Sequence, residues 1–314
     1  MFRYFIFSPE VFHSSLKGDY LYGIVDSISK FGISVNGNEV PKEKMTTRNS
    51  YFKMAAILKK YSISTPVKIK DSKDLNSYCS EIKRDERNDL IFVKEHKLDN
   101  DGFEEICLTK SEFNVDILPR LRPKIGFKYS DYPSQKLLDN LFEKLFSRVL
   151  KESDKIELKD SMLLKGFKPY KNNAFSYGLS KLVSHYSKCR NSIDKNGEIS
   201  IETQYVSFRG SKGIMDEDLL NNQRNLLEKF LIELQDKYNN IRIKYISTER
   251  TSHQRIWAFD NKYFVFVDFG LSNFVFSPYN QTKSFRLLLG NSDDVYDIDK
   301  KFEYLPDLFN DNFK

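Results

Sequence analysis

Cysteine is scarce in this sequence and shows no pairing. Three residues, Cys79, Cys107 and Cys189, lie far apart in 314. An odd count without close spacing argues against a disulfide framework and against a zinc site built on cysteine pairs. The three are expected to be small apolar core residues. Long apolar runs are also missing, and nothing approaches the ~20 residues a membrane span needs. Residues 2–7 are apolar enough for a strand, but Pro9 follows too soon for the apolar core of a signal peptide, roughly 7–15 residues. The protein is therefore expected in the cytoplasm, with no membrane partner. There is no internal repeat, so a solenoid is excluded. The Gly-bracketed loop Phe208–Gly213 lacks the P-loop pattern, which leaves nucleoside triphosphate binding unsupported.

What is present suits a two-domain α/β protein. At roughly 100–200 residues per domain, the length favours two. Hydrophobic residues make up 40% and aromatics 14%, enough for buried cores. The formal charge of +6 permits a nucleic-acid partner without requiring one. Strand-like and helix-like segments alternate, the pattern of α/β architecture. Strands are expected at 2–7 and within 88–97 and 104–113, with helices at 17–31, 50–61 and 73–84. Asn36-Gly37 is expected to be a turn. Residues 114–133 hold three prolines and the basic residues Arg120, Arg122, Lys124 and Lys128, and read as a linker. The expected organisation is an N-terminal domain over 1–113, a linker over 114–133 and a C-terminal domain over 134–314. In the last, helices are expected at 134–152, 174–190 and 216–238. Leu137, Leu138, Leu141, Leu145 and Val149 should form the apolar face of the first. Strands should follow at 197–207, 241–247, 255–259 and 263–269, the last two joined in a hairpin at Asp260-Asn261.

The hairpin region carries the chemistry. His253 and Arg255 stand at i and i+2, on one face of an expected strand. Arginine grips phosphate in a planar fork, and a histidine beside it could attack phosphorus. A second acid would then protonate the leaving oxygen. Ser272 and Asn273, after the next strand, add neutral donors. Asp260 ends the His strand, too far along to touch His253, and suits a supporting role. His253, Arg255, Asp260, Gly270, Ser272 and Asn273 together resemble the motif of the phospholipase D-like superfamily, His-x-Lys-x4-Asp followed by Gly-x-Ser/Asn. Arg255 replaces the lysine, the gap from Asp260 to Gly270 is longer than usual, and a single copy is present.

That resemblance implies a mixed sheet flanked by helices and a metal-independent phosphodiesterase or nuclease needing no cofactor. It implies a phospho-His intermediate and, with one motif, a homodimer placing two His253 residues together. It also implies a bacterial antiphage-defence setting and a partner protein in such a complex. Its catalytic set would be His253, Arg255, Asp260, Ser272 and Asn273. Arg209 and Lys212 lie in the loop after a strand, where α/β sheets place ligands, and are candidate phosphate-binding residues. Aromatics interleave with Lys165, Lys168 and Lys171, a pattern that suits unpaired bases or an ordinary solvated face with aromatics packed inward.

The N-terminal domain more weakly resembles PIN-like nucleases, which gather carboxylates around a divalent metal. Ser8 and Ser111 stand where central aspartates would be, leaving Glu39, Glu43, Asp85, Asp89 and Glu112. That departure implies a degenerate scaffold with no metal. Three functions remain open: a nuclease using His253, a catalytically inactive nucleic-acid-binding or scaffold subunit, and a structural protein in which His253 is merely packed.

Overall fold

A computed structural model describes residues 2–8, 11, 25, 28–29, 32–36, 49–63, 67–81, 90–94, 104–107, 126–128, 134–169, 173–204, 217–248, 255–267, 270–275 and 284–290. The chain forms two compact units, Met1–Pro123 and Lys124–Lys314, both α/β. Among the described residues no helix is long and apolar enough to cross a membrane.

The first unit is built on β1 (Arg3–Phe7), β2 (Gly32–Ser34), β3 (Leu90–Lys94) and β4 (Glu104–Cys107), with helices α1 (Asn49–Lys60) and α2 (Ser72–Glu81). All strand pairs are parallel and the order is β2-β1-β3-β4. Phe5, Ile6 and Phe7 are all buried, as expected for a parallel strand covered on both faces. Ile6 packs with Val35, Ile69, Leu75 and Cys79, so this cysteine does serve as a core residue. Asn36 lies at a bend just after β2, and Gly37, the other residue of the expected turn, lies outside the described residues. Asn36 is fully buried, accepting from Phe7 N at 2.9 Å and donating to Phe7 O at 2.7 Å. An amide carries both a donor and an acceptor, so one side chain replaces the ladder where β1 runs out. Of the expected helix over 17–31, Val25, Ile28 and Ser29 are helical and buried, and the rest lies outside the described residues.

The second unit has a seven-stranded mixed sheet. Its strands are β5 (Gly126–Lys128), β6 (Lys155–Lys159), β7 (Gly197–Gln204), β8 (Ile241–Thr248), β9 (Ile256–Phe259), β10 (Tyr263–Val267) and β11 (Ser284–Gly290). The order is β5-β11-β10-β9-β6-β7-β8. β6, β7 and β8 run parallel, and β9, β10, β11 and β5 continue antiparallel. Part of the segment read as a linker is thus a strand, since β5 pairs with β11 from Ser284↔Lys128 to Arg286↔Gly126. Among the described residues the unit also has helices α3 (Gln135–Glu152), α4 (Leu163–Gly166), α5 (Ala174–Asn191) and α6 (Glu217–Lys237).

Ser134 caps α3 by accepting from Leu137 N at 3.3 Å, which satisfies one of the orphan amides of the first turn. The buried face of α3 is rotated from the one expected. Leu138, Phe142, Leu145, Phe146, Val149 and Leu150 are buried, whereas Leu137 is exposed. The two phenylalanines explain the rotation, because each offers more apolar area than a leucine. Phe142 and Phe146 lie 6.3 and 5.0 Å from the ring of Trp257 on β9. On α6, Leu220, Leu227, Leu231 and Leu234 supply the buried stripe at helical spacing.

One side of the sheet is apolar, and the other combines ion pairs with a buried cluster of Ile256, Ala258 and Phe264. Ile156, Leu158, Ile199, Ile201, Trp257 and Phe259 alternate onto the first. The second carries ion pairs between neighbouring strands, Lys159–Glu202 at 3.1 Å and Lys244–Glu198 at 2.7 Å. Lys159 and Glu202 are almost completely buried.

Candidate functional site

The antiparallel register of β6 and β9 decides which residues meet. Lys159 pairs with Ile256, so the next step along both chains brings Asp160 opposite Arg255. Arg255 Nε donates to Asp160 Oδ1 at 3.3 Å. The β10 side is fixed as well, with Val267 N donating to Arg255 O at 2.9 Å. This pair lies at the carboxyl edge of β6 and β7, where open α/β sheets bind ligands.

The backbone of Asp160 is held at both its N–H and its carbonyl. Its N donates to Glu202 O at 3.0 Å, and its carbonyl accepts from Thr203 Oγ1 at 2.8 Å and from Leu163 N at 3.2 Å. Its Oδ1 also accepts from Met162 N at 2.9 Å. Both side-chain hydrogen bonds therefore fall on Oδ1, while Oδ2 is buried with no hydrogen-bond partner. Burial pushes the Asp160 carboxyl above its ordinary range, and the attraction of Arg255 and the hydrogen bonds from Met162 and Arg255 oppose the shift without cancelling it. The pair is 5% exposed on the Asp160 side and 18% on the Arg255 side.

Gly270 closes against this pair. It has φ +60°, and a Cβ there would run into Asp160 Oδ2 and come within 2.7 Å of Arg255 Cδ. Only glycine meets both demands. Gly270 opens a 3-10 helix, Gly270–Phe274, that includes Ser272 and Asn273. Phe274 anchors the helix, its ring 5.2 Å from Phe142, 5.6 Å from Phe146 and 5.9 Å from Trp257. Leu271 packs on Gly178 of α5 closely enough that a Cβ at Gly178 would lie 2.8 Å from it. Gln135 Nε2 donates to Phe274 O at 3.1 Å, tying the same turn to α3. Trp257 thus fixes the turn that carries Gly270 and Ser272, while Arg255, two residues earlier, presents the charge.

The expected site residues divide into three groups. Arg255, Gly270 and the turn holding half-buried Ser272 are brought to one edge, and Asn273 lies in the same turn. Asp260 is not. It stands at the other end of β9, about 17 Å away at ~3.3 Å per residue over five residues. There its N donates to Lys155 O at 2.9 Å and its Oδ1 accepts from Lys155 N at 2.7 Å. Asp260 and Asn261 form the hairpin turn with φ 51° and 53°, a region Asn and Asp tolerate better than other non-glycine residues. Asp260 is therefore a structural corner locking the start of β6. His253, Arg209 and Lys212 lie outside the described residues, as do Arg120, Arg122, Lys124, Tyr170 and Lys171 of the basic segments. Phe167, in the second basic segment, is buried against Phe230 at 5.2 Å, so this aromatic packs inward.

Asp160 escaped sequence reasoning because β6 itself did. Its five residues, KIELK, alternate apolar and charged, and the charges disguise a central strand. The signal available was period-2 alternation ending in Asp-Ser.

His185, the one histidine among the described residues, belongs to a different setting. Its Nε2 lies 2.9 Å from Ser147 Oγ and 3.7 Å from Cys189 Sγ. Ser147 Oγ also donates to Glu143 O, the carbonyl one turn back in α3. Burial lowers the His185 pKa, and it raises the Cys189 thiol to about 11, well away from a reactive thiolate. This is a packing contact between α3 and α5. In the first unit, Ser8 at the carboxyl end of β1 is fully buried with Oγ unpartnered. Glu39, Glu43, Asp85, Asp89, Ser111 and Glu112 lie outside the described residues. Among the described residues no group of three or more His, Cys, Asp or Glu is arranged to hold a metal.

Compared with known protein families and with curated proteins, the chain matches none.

Proposed function

We propose that the second unit binds a phosphodiester of nucleic acid at the edge formed by Arg255 and the Gly270–Phe274 turn, and cleaves it with His253. The observation that carries this reading is the Arg255 guanidinium, held by Asp160 at the carboxyl edge of the sheet beside the positive-φ glycine. Arginine is always charged and its fork matches two phosphate oxygens. His253, two residues earlier in the chain, is the nucleophile of the reading. Its ring nitrogen forms a bond to phosphorus as the bond to the leaving oxygen breaks, and that oxygen takes a proton from the His253 of a second copy. Water then hydrolyses the phospho-His bond. Phosphate charge is handled by Arg255 together with Arg209 and Lys212, so the chemistry requires no metal.

The test is cleavage of a labelled single-stranded oligonucleotide in the presence of excess EDTA. The reading expects cleavage by the wild type and none by His253→Ala at unchanged thermal stability. Cleavage that EDTA abolishes, or that survives His253→Ala, would refute it. A second reading is favoured by the carboxylate of Asp160, which offsets part of the Arg255 charge. It is a catalytically inactive nucleic-acid-binding subunit, for which the wild type binds the oligonucleotide in a salt-dependent manner and never cuts it.

A further inference from the structure

We infer that Asp160 is a positioning residue that fixes the guanidinium of Arg255 for phosphate binding. The inference rests on the reading of this edge as a phosphate site. Three observations support it. First, the backbone of Asp160 is held at both its N–H and its carbonyl, through Glu202 O, Thr203 Oγ1 and Leu163 N. A side chain on such a rigid element holds its partner to a fixed geometry. Second, the contact is made to Nε of Arg255, at the root of the guanidinium. The guanidinium is one rigid plane, so a bond at Nε helps orient the two terminal nitrogens that carry its fork. Third, the pairing is poorly optimised for stability. Met162 N and Arg255 Nε share Oδ1, and Oδ2 is buried against Gly270 with no hydrogen bond. A pair serving only to stabilise the fold would be expected to satisfy both oxygens, because a bare buried carboxylate oxygen is costly.

The charge and the geometry of Asp160 act in opposite directions on an incoming phosphate. Its negative charge repels the anion, whereas its Oδ1 orients the cation. Asp160→Asn separates them, because the amide oxygen can still accept from Met162 N and Arg255 Nε while the charge is gone. Asp160→Ala removes both.

The experiment is fluorescence anisotropy of the full chain with a fluorescein-labelled single-stranded oligonucleotide at low salt. Asp160→Asn is expected to bind as tightly as the wild type or tighter. Asp160→Ala is expected to bind about tenfold more weakly, and Arg255→Lys, which lacks the planar fork, to weaken binding by a similar factor. The double variant Asp160→Ala/Arg255→Lys should bind no more weakly than Arg255→Lys alone, the signature of two residues acting as one unit. Circular dichroism of each variant checks folding, and Asp160→Asn keeps the test decisive if the alanine variant unfolds. Wild-type binding by Asp160→Ala, full additivity in the double variant, or a tenfold loss in Asp160→Asn would overturn the inference. So would a wild type that binds no oligonucleotide. If the coupling appears but the wild type cuts nothing, Asp160 keeps its role and only the phosphodiesterase reading fails.

Discussion

Replacing Gly270 by alanine tests the packing of the edge without touching a charged group. Two penalties add. An alanine at φ +60° costs about 1–2 kcal/mol from backbone sterics alone. The new methyl would also collide with Asp160 Oδ2 and lie 2.7 Å from Arg255 Cδ. The Asp160 carboxylate can swing away only by giving up the bonds that Met162 N and Arg255 Nε make to its Oδ1, and Arg255 is tied to the same group. Overpacking of this kind costs a further ~1–3 kcal/mol. The expected loss is therefore about 2–5 kcal/mol by denaturant titration of the full chain. At roughly 2–4 °C per kcal/mol for a unit of this size, it should lower the melting transition by about 4–20 °C. The collision share can be isolated. In an Asp160→Ala background the methyl meets one obstacle fewer, so Gly270→Ala should cost about 1–3 kcal/mol less there than in the wild type. A change under 0.5 kcal/mol in the wild type, or equal costs in the two backgrounds, would refute the packing described at this edge.

Asp260→Ala should destabilise by about 2–4 kcal/mol, through the lost acceptor of Lys155 N and the strained positive φ, yet leave oligonucleotide affinity within twofold. A tenfold loss of affinity would place Asp260 in the site after all. Lys159→Met should cost about 3–5 kcal/mol by leaving Glu202 buried without its cation, and adding Glu202→Leu should recover most of that loss in urea titrations. Failure of the second change to restore stability would show that the pair is not a closed unit. His185 has a lowered pKa in the folded state, so the unfolded chain binds its proton first as pH falls. Its contribution is fully present above about pH 6.5 and is lost below it by at most ~1.4 kcal/mol per pH unit. His185→Gln should therefore lose less stability than the wild type between pH 7.5 and 5.5, and an equal or larger loss would contradict the buried neutral imidazole.

Much of the second unit was legible because its elements carry strong local patterns. α3, α5 and α6, together with β7, β8, β9 and β10, fall close to their expected positions, where helical spacing or alternation of large apolar residues is clear. β5, β6 and β11 were not legible for a physical reason. β5 is three residues inside a proline-rich stretch and takes its identity from pairing with β11. β6 has charged side chains on one face: Lys155 pairs with Glu157 inside the strand, and Lys159 finds its partner only in Glu202, distant in sequence. Long-range pairing of this sort leaves no local trace. The site was half legible for the same reason. The motif from Arg255 to Asn273 lies in one continuous stretch, whereas its partner Asp160 arrives from 95 residues earlier through the sheet register. The distance of Asp260 from His253 was legible from strand geometry alone, and Asp260 stands at the other end of β9, bonded to Lys155.

The central claim is that His253 attacks phosphorus beside an Arg255 that Asp160 holds in place. Intact-protein and peptide mass spectrometry, after rapid alkaline quenching of full-length protein mixed with a short oligonucleotide in EDTA, tests it most directly. The account predicts an acid-labile phosphoramidate adduct on the peptide containing His253, absent from His253→Ala and reduced in Arg255→Lys. Cleavage without any adduct on that peptide, or an adduct that persists in His253→Ala, would contradict it.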